Sequence, residues 1–379
     1  MTTHHFIEPH DTLFFRGNRL FGDAPGGGEA LMPPWPSVFA GALRSAMLAH
    51  AGVALSAVHD GTLDDALGDC LGSAAAPGTF TLTDVTLARR GEDGLKTFHP
   101  LPADLVVYHN DREIAVQRLQ PIEPPTGIAC SATTARLPVA QTVERGKALS
   151  GYWLTGAGWA HYLRGGTPAR DEVCHQNQLW QVDPRLGIAL DTTTRRAADS
   201  QLYTTEGIRL ARDVGFLIAI DGVPDGLLPE STTLRLGGDG RSARMEAIEP
   251  PPTAGPDTDA LRSDDACRLV LTSPGLFPDG WQLPGAAGST WPALRGAARI
   301  VAAAVPRAVT VSGWDLAHHR PKPAERCAPT GSVYWLEGVG GGDETLCKLA
   351  SEGLWPLIND NVSSSRRAEG FNRCVIANA

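Results

Sequence analysis

The sequence predicts an α+β chain made of two βαββαβ-type units. Three observations carry this. Strand patterns outnumber helical ones along the 379 residues, a proline- and acid-rich stretch interrupts them at 249–266, and the two sides of that break echo one another. Each half opens with a strand that runs into a loop. Each closes with glycine, arginine and a strand, "GGDGRSARMEAIE" in the first and "GFNRCVIANA" in the second. Strands interspersed with a few helices and long loops fit such units. The halves do not align residue by residue, so the echo is one of fold and not of a recent tandem repeat.

The elements follow in order. "HHFIEPHDTLFF" reads as a strand and "RGNRLFGDAPGGGEALMPPWP" as a loop. "SVFAGALRSAMLAHAG" reads as a helix, with Ser37 as N-cap and Val38, Leu43, Met47 and Leu48 on its apolar face. "GTFTLTDVTLAR" alternates as a strand does, "PADLVVYH" is a second strand, and "GYWLTGAGWAHYLRGG" passes from strand to short helix. From Pro184 the chain reads as a short strand, a polar loop bearing arginines, a strand near Leu202–Ile208 and the apolar strand "VGFLIAID". Residues 234–248 supply strand, Gly loop and strand. "EPPPTAGPDTDALRSDDA" is a solvated loop or linker. Beyond it, "CRLVLTSPGLF", "RIVAAAVPRAVTVSGWDL" and "GSVYWLEG" read as strands, "ETLCKLASEGLWP" as a helix, and the chain ends in a strand.

Composition excludes some classes of function. Hydrophobic residues at 42% and charged residues at 20% are ordinary for a soluble globular protein. No apolar run approaches the roughly 18 residues of a membrane span. The first residues show neither a basic flank nor an apolar signal core, so the expectation is a cytoplasmic protein. Seven scattered cysteines without a CxxC pair predict buried or incidental thiols, not a disulfide framework or thiolate metal site. A net charge of −9 argues against coating nucleic acid over the whole surface but leaves room for a local basic groove. Four of the 33 basic residues are lysines; arginine is the better bidentate phosphate ligand, although a GC-rich genome produces the same skew.

No P-loop, GxGxxG, G-x-S-x-G, HExxH or EF-hand pattern occurs, so neither a cofactor nor a metal is expected. The pairs His4-His5 and His318-His319 sit on adjacent positions, which point to opposite faces of a strand and do not readily chelate one metal. Local basic islands are more informative. "LGGDGR" places Gly237, Gly238 and Gly240 beside Arg241, with Arg244 close behind. Such a turn either lets a phosphate approach the backbone or is a hairpin bulge with surface arginines. "FFRGNRLF" sets Arg16 and Arg19 among phenylalanines, the recipe for single-stranded RNA if the rings are not core. "TTTRRAADSQLY" holds Arg195 and Arg196. "SGWDLAHHRPKPAER" holds Arg320, Lys322 and Arg326 near Trp314. "SSSRRAEGFNR" holds Arg366, Arg367 and Arg373. Basic islands in an acidic protein suit a groove on one side and protein contacts elsewhere.

The ordered set "FRGNRLF", "PPWPSVFAGALRSA", "GIALDTTTRRAADSQLY", "LGGDGR", "SGWDL…RPKPAER…PTGSVYWLEG" and "EGFNR" resembles the RAMP superfamily of CRISPR-associated proteins. Within it, the set is most similar to the third subunit of the type III-B (Cmr) effector complex, over about residues 6–376. The resemblance implies two ferredoxin-like (RRM-like) RAMP domains with long loop insertions. The expected boundaries are 1–250 for the first domain, 251–266 for the linker and 267–379 for the second. It implies a non-catalytic subunit in antiviral defence that grips the 5′ handle of the guide RNA. Its partners would be the large polymerase-cyclase subunit and a backbone RAMP subunit, with no membrane. RNA contact is expected at Gly237, Gly238, Gly240 and Arg241, and by extension at Arg16, Arg19, Arg44, Arg195, Arg196, Lys322 and Arg326. Gly370-Phe371-Asn372 departs from the pattern, since related proteins often carry a second glycine there. Asn tolerates the left-handed region, so the turn can survive.

Two other readings stand beside this one. RAMP proteins include metal-independent ribonucleases that cut precursor guide RNA with a histidine acid or base, for which His50, His318 and His319 are the candidates. A scaffold that binds only protein would fit the acidic charge.

Overall fold

The computed structural model describes residues 2–15, 30–60, 62–73, 76–110, 113–127, 134–141, 147–191, 193–252, 254–286, 290–291, 298–315, 320–339, 343–358 and 364–379. Among them the fold is mixed α and β and rich in strands. No described helix is long and apolar enough to cross a membrane. The chain divides into two units, Met1–Val85, Asn177–Glu249 and Thr310–Glu325 in one, Thr86–Gln176, Pro250–Val309 and Arg326–Ala379 in the other. These units are interleaved, not consecutive as the boundaries 1–250 and 267–379 would have them. Glu249 and Pro250 fall in different units, and the long excursion 86–176 belongs to the second unit.

In the first unit the strands lie in the order Ser231–Arg235, Ser242–Ile248, Thr3–Pro9, Val214–Asp221, then the start of Thr81–Gly91. Leaving out the edge strand Ser231–Arg235, the fourth strand in sequence lies beside the first, and the third separates first from second. The helix Pro36–His50 leads from the first strand toward the second. Pro36 fixes the first helical φ, and the N-cap is Trp35 with no side-chain cap bond, two positions earlier than the Ser37 expected from hydroxyl capping. Phe39, Leu43 and Met47 are fully buried, and the Phe39 ring meets Phe216 edge-on at 4.9 Å. Burial of each such side chain contributes roughly 1.5–3 kcal/mol.

The second unit repeats the strand order. Thr290–Trp291, Ala298–Ala304, Val333–Glu337, Ala266–Leu271 and Cys374–Asn378 lie side by side, and the helix Asp343–Glu352 joins the third main strand to the fourth. Both faces of this sheet are covered. Cys267, Leu269 and Leu271 face one core, while Val270 faces another with Leu105, Trp159 and Tyr162. The 86–176 excursion therefore supplies the lid of the second face. Residues 258–263, expected to be solvated linker, form a short helix instead. Asp257 caps it by accepting from the N–H groups of Asp259 and Ala260, and Leu261 is buried in the core. An apolar residue every few positions is easily overlooked in a stretch dominated by proline and acid.

The turn at Gly370-Phe371-Asn372 survives, as its chemistry allows. Asn372 sits at φ 60 and is fully buried. Its side chain accepts from the Leu276 N–H and donates to the Leu276 carbonyl at 3.3 Å. Arg366, expected in a surface basic island, is instead buried, paired with Glu369 at 3.0 Å and lying 5.2 Å from the Phe371 ring.

Two histidines give the fold an acid limit. His5 is buried on the first strand, its Nδ1 meets no partner among the described residues, and burial, helped by His4, pushes its pKa down to about 4. His99 lies flat on Trp159 at 4.6 Å, and burial pushes it down to about 3. Unfolded histidine titrates near 6.5, so protons bind the unfolded chain first. Stability should be complete above about pH 6.5. It should fall by up to about 1.4 kcal/mol per pH unit per histidine as pH drops toward those two values. Urea midpoints measured from pH 7 to pH 4.5 should decline, and less so in His5→Gln; a flat profile would count against the assignment.

Candidate nucleic-acid interface

The Gly loop sits in the first unit, between Ser231–Arg235 and Ser242–Ile248. Gly237 adopts φ 77, and a Cβ there would lie 2.7 Å from the Phe14 carbonyl oxygen. Gly238 N–H donates to that same carbonyl at 2.8 Å, and Arg241 N–H donates back to Gly238. Part of the loop's backbone is thus spent on holding the segment 11–15. Gly240, at φ 63, has open space where a Cβ would stand. The loop is both a tight turn and an open surface, and the two roles fall on different glycines.

Segment 11–15 is also joined to a long antiparallel ribbon. Trp180–Leu190 pairs with Ala197–Leu210, and Leu13 exchanges backbone hydrogen bonds with Ile208 at 2.8 and 2.7 Å. Gly207 permits this closeness, since a Cβ there would stand 2.3 Å from the Thr12 methyl. The sequence predicts a short strand and a strand near Leu202–Ile208; the ribbon is longer, because its apolar residues are not covered and give weak alternation.

These contacts gather two guanidiniums over one ring. Arg241 lies 4.9 Å from the Phe14 centroid and Arg185 lies 6.0 Å from it. Arg241 pairs with Asp11 at 3.0 Å. Arg185 pairs with Asp183 at 2.8 Å and donates to Thr12 Oγ1 at 3.2 Å. The Asp11 side chain is 64% exposed and that of Arg241 27%, so the carboxylate is the outer of the two. The Thr12 backbone N–H, and after it Arg241 and Arg185, hold the Asp11 carboxyl below its usual range. The arrangement can offer two oriented cations to an anion that displaces a carboxylate.

A model of the family CRISPR-associated protein (Cas_Cmr3) matches residues 5–379. The chain belongs to the Cas_Cmr3 family. No curated protein matches it by sequence. Two solved structures resemble this Cas_Cmr3 chain in fold, each at 15% identity and TM-score 0.53 over 98% of its length. One is a chain of Type III-B Cmr-beta bound to cognate target RNA and AMPPnP, of which 95% is covered. The other is a chain of Type III-B Cmr-beta bound to cognate target RNA, of which 96% is covered.

The remaining described residues singled out in this Cas_Cmr3 sequence lie on several different elements. Arg16 and Arg19 lie outside the described residues, as do His318 and His319. Phe14 and Phe15 are buried and serve the core, and Phe14 carries the two arginines, while Phe21 of "FFRGNRLF" lies outside the described residues. Arg44 is part-buried on its helix with its guanidinium 5.2 Å from the Phe80 ring. His50 is exposed in the last turn of that helix. Arg195 and Arg196 are exposed at the ribbon tip, where the Asp191 carboxylate accepts from Thr193 N, Thr194 N and Thr194 Oγ1 and fixes the turn. Leu190 stands five steps along the strand from Arg185, roughly 17 Å, and the tip lies beyond. Lys322 is part-buried and bonded through its backbone N–H to Gly313 at 2.9 Å; Arg326 is exposed and belongs to the second unit. Arg244 pairs with Glu246 at 3.0 Å. Arg185 is the residue that sequence reasoning missed. Its only signal was an arginine on a strand that leads toward a basic loop.

Proposed function

We propose that this Cas_Cmr3 protein is a non-catalytic RNA-binding subunit of a type III-B CRISPR effector complex, acting in the cytoplasm in antiviral defence. It grips the 5′ handle of the guide RNA and joins the large polymerase-cyclase subunit to a backbone RAMP subunit. The observation that carries the reading is the pair Arg185 and Arg241 on Phe14 beside the Gly loop, in a chain of this family. The strand order common to the two units supports reading each as ferredoxin-like. The ribbon supports the partner half of the proposal. Leu186 is 74% exposed, on the same face as Val182, Ile188 and Leu202, an apolar surface of the kind that assemblies cover.

The test uses labelled guide RNA with its native handle or with that handle scrambled, incubated with the full chain and the large subunit without added metal. Handle-dependent binding with intact RNA is the expected result. Arg241→Ala should weaken it about tenfold, the scale of one charge-assisted contact, with little change in melting temperature. RNA cut at one position, lost in His50→Ala or His318→Ala, would replace this reading with the ribonuclease one. Absence of RNA binding would leave a protein scaffold.

A further inference from the structure

The cations of this seat are already matched one for one. Asp11 holds Arg241 and Asp183 holds Arg185, so among the described residues these ion pairs set two guanidiniums against two carboxylates. The two carboxylates are not equivalent. Asp183 takes both Nε–H and NH2 of Arg185, at 3.0 and 2.8 Å. Among the described residues Asp11 takes one N–H of Arg241, and the Arg241 Nε–H, which is buried, meets no acceptor. Asp11 is a single-point ligand on the solvent side of a guanidinium that Phe14 keeps in place. A phosphate offers more acceptor oxygens than that contact uses.

Resting on the RNA reading above, we propose that Arg185 and Arg241 form one phosphate seat, and that Asp11 is its resident anion, displaced when RNA binds. The carboxylate keeps Arg241 over Phe14 in the free protein. It also sets a cost on every incoming anion. A lone phosphate gains little by the exchange, whereas a strand that also meets other cations displaces Asp11 and stays. Asp11 is thus a specificity residue, lowering affinity for RNA in general so that additional contacts decide which RNA is held.

The experiment measures equilibrium affinity of labelled handle RNA for the full chain at one fixed salt concentration. It compares wild type, Asp11→Asn, Asp11→Ser, Arg185→Ala, Arg241→Ala and the double variant Asp11→Asn/Arg241→Ala, each checked for an unchanged melting profile. Both arginine variants should bind several-fold more weakly. Asp11→Asn or Asp11→Ser should bind about two- to fivefold more tightly, the range an exposed ion pair spans. The gain should vanish when Arg241 is absent, because there is then no cation to release. If both Asp11 variants bind equally or more weakly while the arginine variants still lose affinity, Asp11 only positions Arg241 and the exchange is overturned. If RNA binds but neither arginine matters, the seat is not the RNA site, and the proposed site fails along with this inference.

Discussion

Replacing Arg268 with methionine is expected to destabilise the second unit by about 3–5 kcal/mol, because it leaves a buried carboxylate without its cation. Arg268 and Asp104 are both fully buried and pair at 2.7 Å. The guanidinium also donates to the carbonyls of Asn378 at 2.8 Å and Tyr162 at 3.0 Å, and Tyr162 Oη donates to the other Asp104 oxygen at 2.7 Å. Burial, and then the Asp104 charge, drive the Tyr162 hydroxyl well above its usual pKa, so it remains a donor at any physiological pH. Every partner comes from the excursion 86–176 or from the strands it covers, so the network fastens that lid to the sheet. Urea unfolding should show a lowered midpoint for Arg268→Met. Adding Asp104→Asn should recover a large part of the loss, since the uncompensated charge is gone. If Asp104→Asn makes Arg268→Met still less stable, the carboxylate is not the source of the cost.

Gly237→Ala is expected to cost at least about 2 kcal/mol and to disable RNA binding, whereas Gly240→Ala should cost about 1 kcal/mol and leave the fold of the loop intact. Both residues occupy the left-handed region, but only at Gly237 would a Cβ collide with backbone, the Phe14 carbonyl. Relieving that collision must break the Gly238 hydrogen bond to Phe14 and move the ring on which Arg185 and Arg241 rest. Thermal melts and RNA affinities of the two variants give the comparison. Equal stability loss in both would mean that the loop does not hold Phe14 as described.

Particular residues show how far the sequence could be read. The strand at 214–221, the helix at 36–50 and the strand–Gly loop–strand of 234–248 were legible, because each has a strong local period or a glycine run. Arg268 was not, since an arginine inside "CRLVL" looks the same in sequence whether its partner is buried carboxylate or water. Phe14 was legible as aromatic and illegible as core. Arg366 looked like surface charge and is neutralised inside by Glu369, only three residues away.

What the sequence by itself determined is the local chemistry: alternating strands, the amphipathic helix, turns that need glycine or asparagine, and the ordered motifs of the Cas_Cmr3 family. Those depend on neighbours within a few positions. What only the tertiary structure decided is the grouping of Asp11, Arg185 and Arg241 on one ring, and of Asp104, Tyr162 and Arg268 in one network. Their members lie far apart in the chain, and no period links them. They meet because backbone pairing joins Leu13 to Ile208 and Phe14 to Gly238, and because the second sheet must bury its other face. Such contacts are set by which surfaces exclude water together, a property of the folded chain and not of any segment of it.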